Sequence, residues 1–106
     1  MITLCIRYTL NPTKLVDFEA YARELPPQIE RCGGKLRGYY APTKFAGPTN
    51  AALALIDFPS LAAYEQYRAK LAADPEAVKS VRCVDDSGAI LNEDRSILQR
   101  VSGPES

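Results

Sequence analysis

The sequence predicts a single α+β domain with elements in the order β-α-β-β-α-β. Three observations carry that prediction. Residues 2 to 10, ITLCIRYTL, alternate between an aliphatic and a mixed side. Leu15, Phe18, Ala22, Leu25 and Ile29 step by three and four, the spacing of one helix stripe. The stretch AALALIDFPSLAAYEQY, residues 51 to 67, changes from strand rhythm to helix rhythm at Phe58-Pro59-Ser60.

In the first strand Ile2, Leu4, Ile6, Tyr8 and Leu10 share one face, and Thr3, Cys5, Arg7 and Thr9 share the other. Asn11-Pro12-Thr13 ends it, and Thr13 is placed to cap the helix that follows. Pro26 and Pro27 lack the N–H that a helix interior needs, so a kink is expected there. Cys32-Gly33-Gly34 stops the helix, because glycine accepts the left-handed conformation of a helix end. Residues 35 to 41, KLRGYYA, form the second strand, and TKFAGPTN joins them to the third, residues 51 to 58. Ser60 caps a second long helix whose stripe is Leu61, Tyr64, Tyr67 or Arg68, and Leu71. Asp74-Pro75-Glu76 starts a short extra helix expected to end near Val81, with residues 84 to 88 read as a polar turn. Residues 89 to 98 make the last strand, and residues 101 to 106 a frayed tail after a domain spanning residues 1 to 100.

Composition narrows the function. A chain of 106 residues cannot be divided and still bury two cores. Lys plus Arg and Asp plus Glu are equal at 13 each, so no overall basic field attracts nucleic acid or anionic lipid. No apolar run approaches the roughly 20 residues of a bilayer span, and Arg7 interrupts the start where a secretion signal is continuously apolar. A cytoplasmic location is therefore expected. Cys5, Cys32 and Cys83 are far apart, without C-x-x-C spacing, and read as buried or half-buried reduced thiols.

A right-handed crossover in each half slots the second unit into the first, giving a ferredoxin-like sheet of order 4-1-3-2 with its helices on one face. The third strand is then a puzzle. Ala52, Ala54, Ile56 and Phe58 suit the helix side, but Leu53 and Leu55 are apolar on the side that should meet water. A second copy stacking sheet on sheet is the simplest cover. Burying about 600 Å² of apolar surface per chain would contribute roughly 15 kcal/mol before ordering and docking costs.

The run ALALIDFPSLAAYEQYRAKLAADPEA, with the upstream ERCGGKLRGYY and the start MITLCIRYTLNPTK, closely resembles bacterial NIPSNAP proteins. The resemblance covers about residues 1 to 100. It implies the dimeric α+β barrel architecture and, because the family has no established common reaction, says little about activity.

Polar residues on strands with apolar neighbours are the candidates for a site inside such a barrel: Arg7, Tyr39, Tyr40, Asp57 and Arg95. Asp57 or Tyr40 would move a proton, while Arg7, Tyr39 and Arg95 would bind an anionic or carbonyl group. A buried charge needs a partner, so an Arg–Asp pair is expected if they share the cavity. Each also has a plainer reading: Asp57 as a hydrogen-bond acceptor beside the Phe-Pro-Ser turn, Arg7 and Arg95 as partners of carboxylates such as Glu93, Tyr64 and Tyr67 as packing. Glu93-Asp94 and Asp85-Asp86 do not suggest a metal site, since neighbours on a strand face opposite ways and no third ligand is placed. The chain has no histidine, which removes the usual proton shuttle and haem ligand, and it has no phosphate loop. Two readings remain: a homodimeric small-molecule binder or cofactor-free enzyme, without metal or haem, and a non-enzymatic interaction module whose barrel is filled by its own side chains.

Overall fold

The computed structural model describes residues 1–103. Its sheet has four strands, β1 (Ile2–Leu10), β2 (Lys35–Tyr40), β3 (Ala51–Phe58) and β4 (Ile90–Gln99), in the order β2-β3-β1-β4. That is the expected ferredoxin-like order, and every neighbouring pair is antiparallel. The first crossover is α1 (Leu15–Glu24) with α2 (Pro26–Arg31), and the second is α3 (Leu61–Ala73) with α4 (Pro75–Ser87). No helix among the described residues is long and apolar enough to cross a membrane. The expected tail begins in irregular chain at Val101, and its residues 104 to 106 lie outside the described part.

The core lies between sheet and helices. Leu4, Ile6, Tyr8 and Leu10 of β1 and Ala52, Ala54, Ile56 and Phe58 of β3 are all buried on that side. Phe18, Leu25 and Ile29 from the first crossover meet them, together with Tyr21, which the expected stripe omitted. Tyr67 descends from α3 onto Phe58, with ring centroids 4.8 Å apart.

Four local expectations are corrected. Asn11, not Thr13, is the cap: its Oδ1 accepts from the Thr13 N–H and hydroxyl at 3.0 and 2.8 Å, over a 3-10 turn at Pro12–Lys14. The Pro26-Pro27 kink is a full break between α1 and α2, although Leu25 keeps helical angles, because two successive residues donate no N–H. Leu61, placed in the buried stripe, is largely exposed, while Tyr67, the expected alternative to Arg68 in that stripe, is buried and carries the contact. The helix expected to stop near Val81 continues to Ser87 and closes on Gly88 in the left-handed region at φ 74°. Ala77, Val81 and Val84 form its inward stripe, and that spacing outweighs the polar look of residues 84 to 88.

Gly34, after the left-handed Gly33, packs tightly between layers. A Cβ there would lie 2.9 Å from Ile56 Cγ2, 3.0 Å from Ile29 Cγ2 and 3.2 Å from the Tyr67 ring. Gly34→Ala should therefore destabilise the chain by about 1–3 kcal/mol, read as a lower urea midpoint. An unchanged midpoint would show that this contact relaxes without cost.

Candidate functional site

Tyrosines gather on the helix side of the sheet. Tyr8 of β1 and Tyr39 of β2 stack with centroids 6.4 Å apart, Tyr21 of α1 meets Tyr39 edge-on at 6.1 Å, and Phe18 touches all three. Burial pushes the phenols of Tyr8, Tyr21 and Tyr39 far above their ordinary value, with the Tyr39 hydroxyl raising Tyr21 further and partly offsetting the rise at Tyr8. Burial also lifts Tyr67, to about 12. These hydroxyls are neutral hydrogen-bonding groups at physiological pH, and none serves as a ready base.

Beside this cluster a cavity of about 860 Å³ opens between the sheet and helices α3 and α4. Ile6 and Ile56 lie on its sheet side, Leu25, Tyr21, Tyr39 and Tyr67 form an aromatic and aliphatic wall, and Leu71 and Val81 face them from the second crossover. Glu93 and Arg95 enter from β4, two residues apart and therefore on one face. Glu93 Oε2 accepts from Arg95 Nε at 3.0 Å and lies 2.9 Å from Nη2. Burial works against the Arg95 charge, but the Glu93 carboxylate outweighs it and raises the guanidinium further.

The other sheet face holds a different constellation. Asp57 is 1% exposed although no helix covers it. Its Oδ1 accepts from the Thr3 hydroxyl at 2.6 Å, and its Oδ2 accepts from Arg37 Nε and from Arg100 Nη2 at 3.1 Å. Burial alone would raise this carboxyl, yet the Thr3 hydrogen bond and the two guanidinium groups hold it below the ordinary aspartate value. Arg7 lies on this face opposite Leu53 and Asp94, and the Tyr40 ring folds over Gly38.

The five sequence candidates are thus split by the sheet. Tyr39 and Arg95 line the cavity, while Asp57, Arg7 and Tyr40 stand on the opposite face. The Arg–carboxylate pairs exist: Arg95 pairs with Glu93, as its plainer reading has it, and Asp57 pairs with Arg37 and Arg100, to which the sequence does not point. Strict alternation puts Arg37 and Tyr39 on one face. A bulge between Leu36 and Gly38 separates them, leaving Tyr39 toward the helices and letting Arg37 reach Asp57. A glycine inside an otherwise regular strand was the available signal. Among the described residues no three Cys, Asp or Glu side chains gather closely enough to hold a metal ion.

Residues 3–103 match the family profile described as NIPSNAP. The chain belongs to the NIPSNAP family. Its fold is shared with a NIPSNAP family protein of unknown function from Agrobacterium tumefaciens, at 24% identity over 96% of this chain and 91% of the other, TM-score 0.81. A NIPSNAP-like domain protein from Burkholderia xenovorans is 26% identical over 97% and 89% of the two chains, TM-score 0.78. A Nitrosomonas europaea protein that carries the name of the antibiotic biosynthesis monooxygenases superposes at TM-score 0.73 over 96% and 100%, with 10% identity, a likeness of fold alone. No curated protein is similar enough to match.

Asp57 gives this NIPSNAP chain a measurable acid sensitivity. Its folded carboxyl titrates below the reference value of 3.8, so its contribution is complete above that value and disappears as pH falls through the lower folded one. Asp57→Asn should cost on the order of 3 kcal/mol at neutral pH and flatten the loss of stability below about pH 4. Urea titrations of both proteins across that range check it. Parallel pH profiles would remove the carboxylate from the account.

Proposed function

We propose that this NIPSNAP protein is a cytoplasmic homodimer that holds a small molecule between its helices and its sheet, without metal or haem. The observation that carries the reading is the cavity of about 860 Å³, lined by tyrosines and aliphatic side chains together with charged residues that include the Glu93–Arg95 ion pair. Sites for small ligands are likewise concave spaces of hundreds of Å³ that combine apolar walls with convergent polar groups. Tyr39 and Arg95 are the ligand contacts. Arg95 meets a carbonyl oxygen of the ligand, and the neutral phenols orient the rest by hydrogen bonds.

The second copy covers the open sheet face. Leu53 and Leu55 are only half-buried there, Tyr40 is 51% exposed and Leu98 48%. These residues lie around Cys5 and the Asp57 cluster and make an apolar surface of the sort that stacked sheets bury. In the dimeric barrel formed this way Asp57, Tyr40 and Arg7 face the partner sheet. The free thiols, Cys5 and Cys32 buried and Cys83 exposed against expectation, suit a reducing compartment.

Native mass spectrometry of gently purified protein tests both halves of the reading. The expected species is two chains of 11.7 kDa plus a reproducible small adduct. Bare dimers from every preparation would contradict the ligand and favour an interaction module, and a monomer would contradict the dimer.

A further inference from the structure

On the proposed reading of the cavity as a ligand site, we infer that it selects an uncharged ligand offering a hydrogen-bond acceptor and donor side by side, as a carboxamide does, over the corresponding carboxylate. The ion pair on β4 is the first reason. Both contacts of Arg95 go to one oxygen, Glu93 Oε2, and the two side chains are 37% and 33% exposed, so Arg95 Nη1 and Glu93 Oε1 remain open to a ligand in place of water. One donates and the other accepts. A ligand carbonyl satisfies the guanidinium, and an adjacent N–H satisfies the carboxylate.

The charge of the walls is the second reason. Arg68, Arg82 and Arg95 stand against Asp85, Asp86 and Glu93, so the described lining is neutral. An anion leaving water for this space meets no net positive charge, and its carboxylate is repelled by Glu93 at the position where Arg95 would receive it. The field of Glu93 reaches deeper still, since it opposes ionisation of both Tyr8 and Tyr21. A cation is disfavoured symmetrically by Arg95. A neutral group with both hydrogen-bonding functions leaves the ion pair intact and both its spare positions occupied.

An isosteric probe series separates these cases: 2-naphthamide, 2-naphthoate and 2-naphthamidine, uncharged, anionic and cationic at pH 7.5, titrated by calorimetry into the intact protein. The amide should bind at least tenfold tighter than either ion. In Glu93→Gln the neutralising charge is gone, and 2-naphthoate should overtake the amide; in Arg95→Gln, 2-naphthamidine should. Circular dichroism confirms that each variant is folded, and either one alone suffices to show the reversal. A carboxylate that binds tightest to the unaltered protein, or a ranking that survives both substitutions, would overturn this inference while leaving the cavity a ligand site. Failure of all three probes to bind at millimolar concentration would count against the cavity reading itself, and the inference would fall with it.

Discussion

A four-stranded sheet has two faces, and the helices of this chain cover one. Every later feature follows from how the sequence treats that asymmetry. On the covered side β1 and β3 send Leu4, Ile6, Ile56 and Phe58 into a conventional core, but Ala52 and Ala54 give the middle of the sheet little height. Tyr8, Tyr39 and Tyr21 fill the space above them at one end. At the other end the cavity lies between the sheet and the second crossover. On the uncovered side the same β3 presents Leu53 and Leu55 and then buries a carboxylate.

That carboxylate shows how an ionised group is kept in an apolar surface. A lone Asp57 would be strongly disfavoured there, and its two oxygens are instead occupied by a hydroxyl and two guanidinium groups drawn from β1, β2 and the residue after β4. The cluster therefore links three separate parts of the chain across the open face. Such a clamp depends on geometry that only the assembled sheet provides, so it contributes to specifying the register as well as to stability.

Strand positions, sheet order and the two-faced character of β3 were legible in the sequence because they rest on alternation, on turn residues and on the handedness of crossovers. The Pro26-Pro27 break and the Gly33-Gly34 stop were legible because those residues have few conformations open to them. The misses have physical reasons as well. The bulge at Arg37 alters alternation without altering composition, so the partner of Asp57 stayed hidden. The last turns of α4 look polar in sequence, since only Val84 of that segment is buried. The cavity could not be read at all: it depends on how far α3 and α4 stand from the sheet, and side-chain spacing along one element says nothing about distance between layers. The sequence points to Arg95 and Tyr39 as ligand contacts, but for a space between two sheets, and only the three-dimensional arrangement sets them apart from Asp57, Arg7 and Tyr40.

The proposed dimer rests on the open sheet face being an interface between copies. Leu55 lies near its middle, opposite Cys5 of β1 and Gly38 of β2, on the side away from the cavity. Sedimentation velocity of the unaltered protein beside Leu55→Glu tests the claim directly, because a glutamate on each copy would bring like charges together in an apolar contact. The account predicts a dimer for the first and a folded monomer for the second. A dimer that persists in Leu55→Glu, or an unaltered chain that sediments as a monomer, would contradict it.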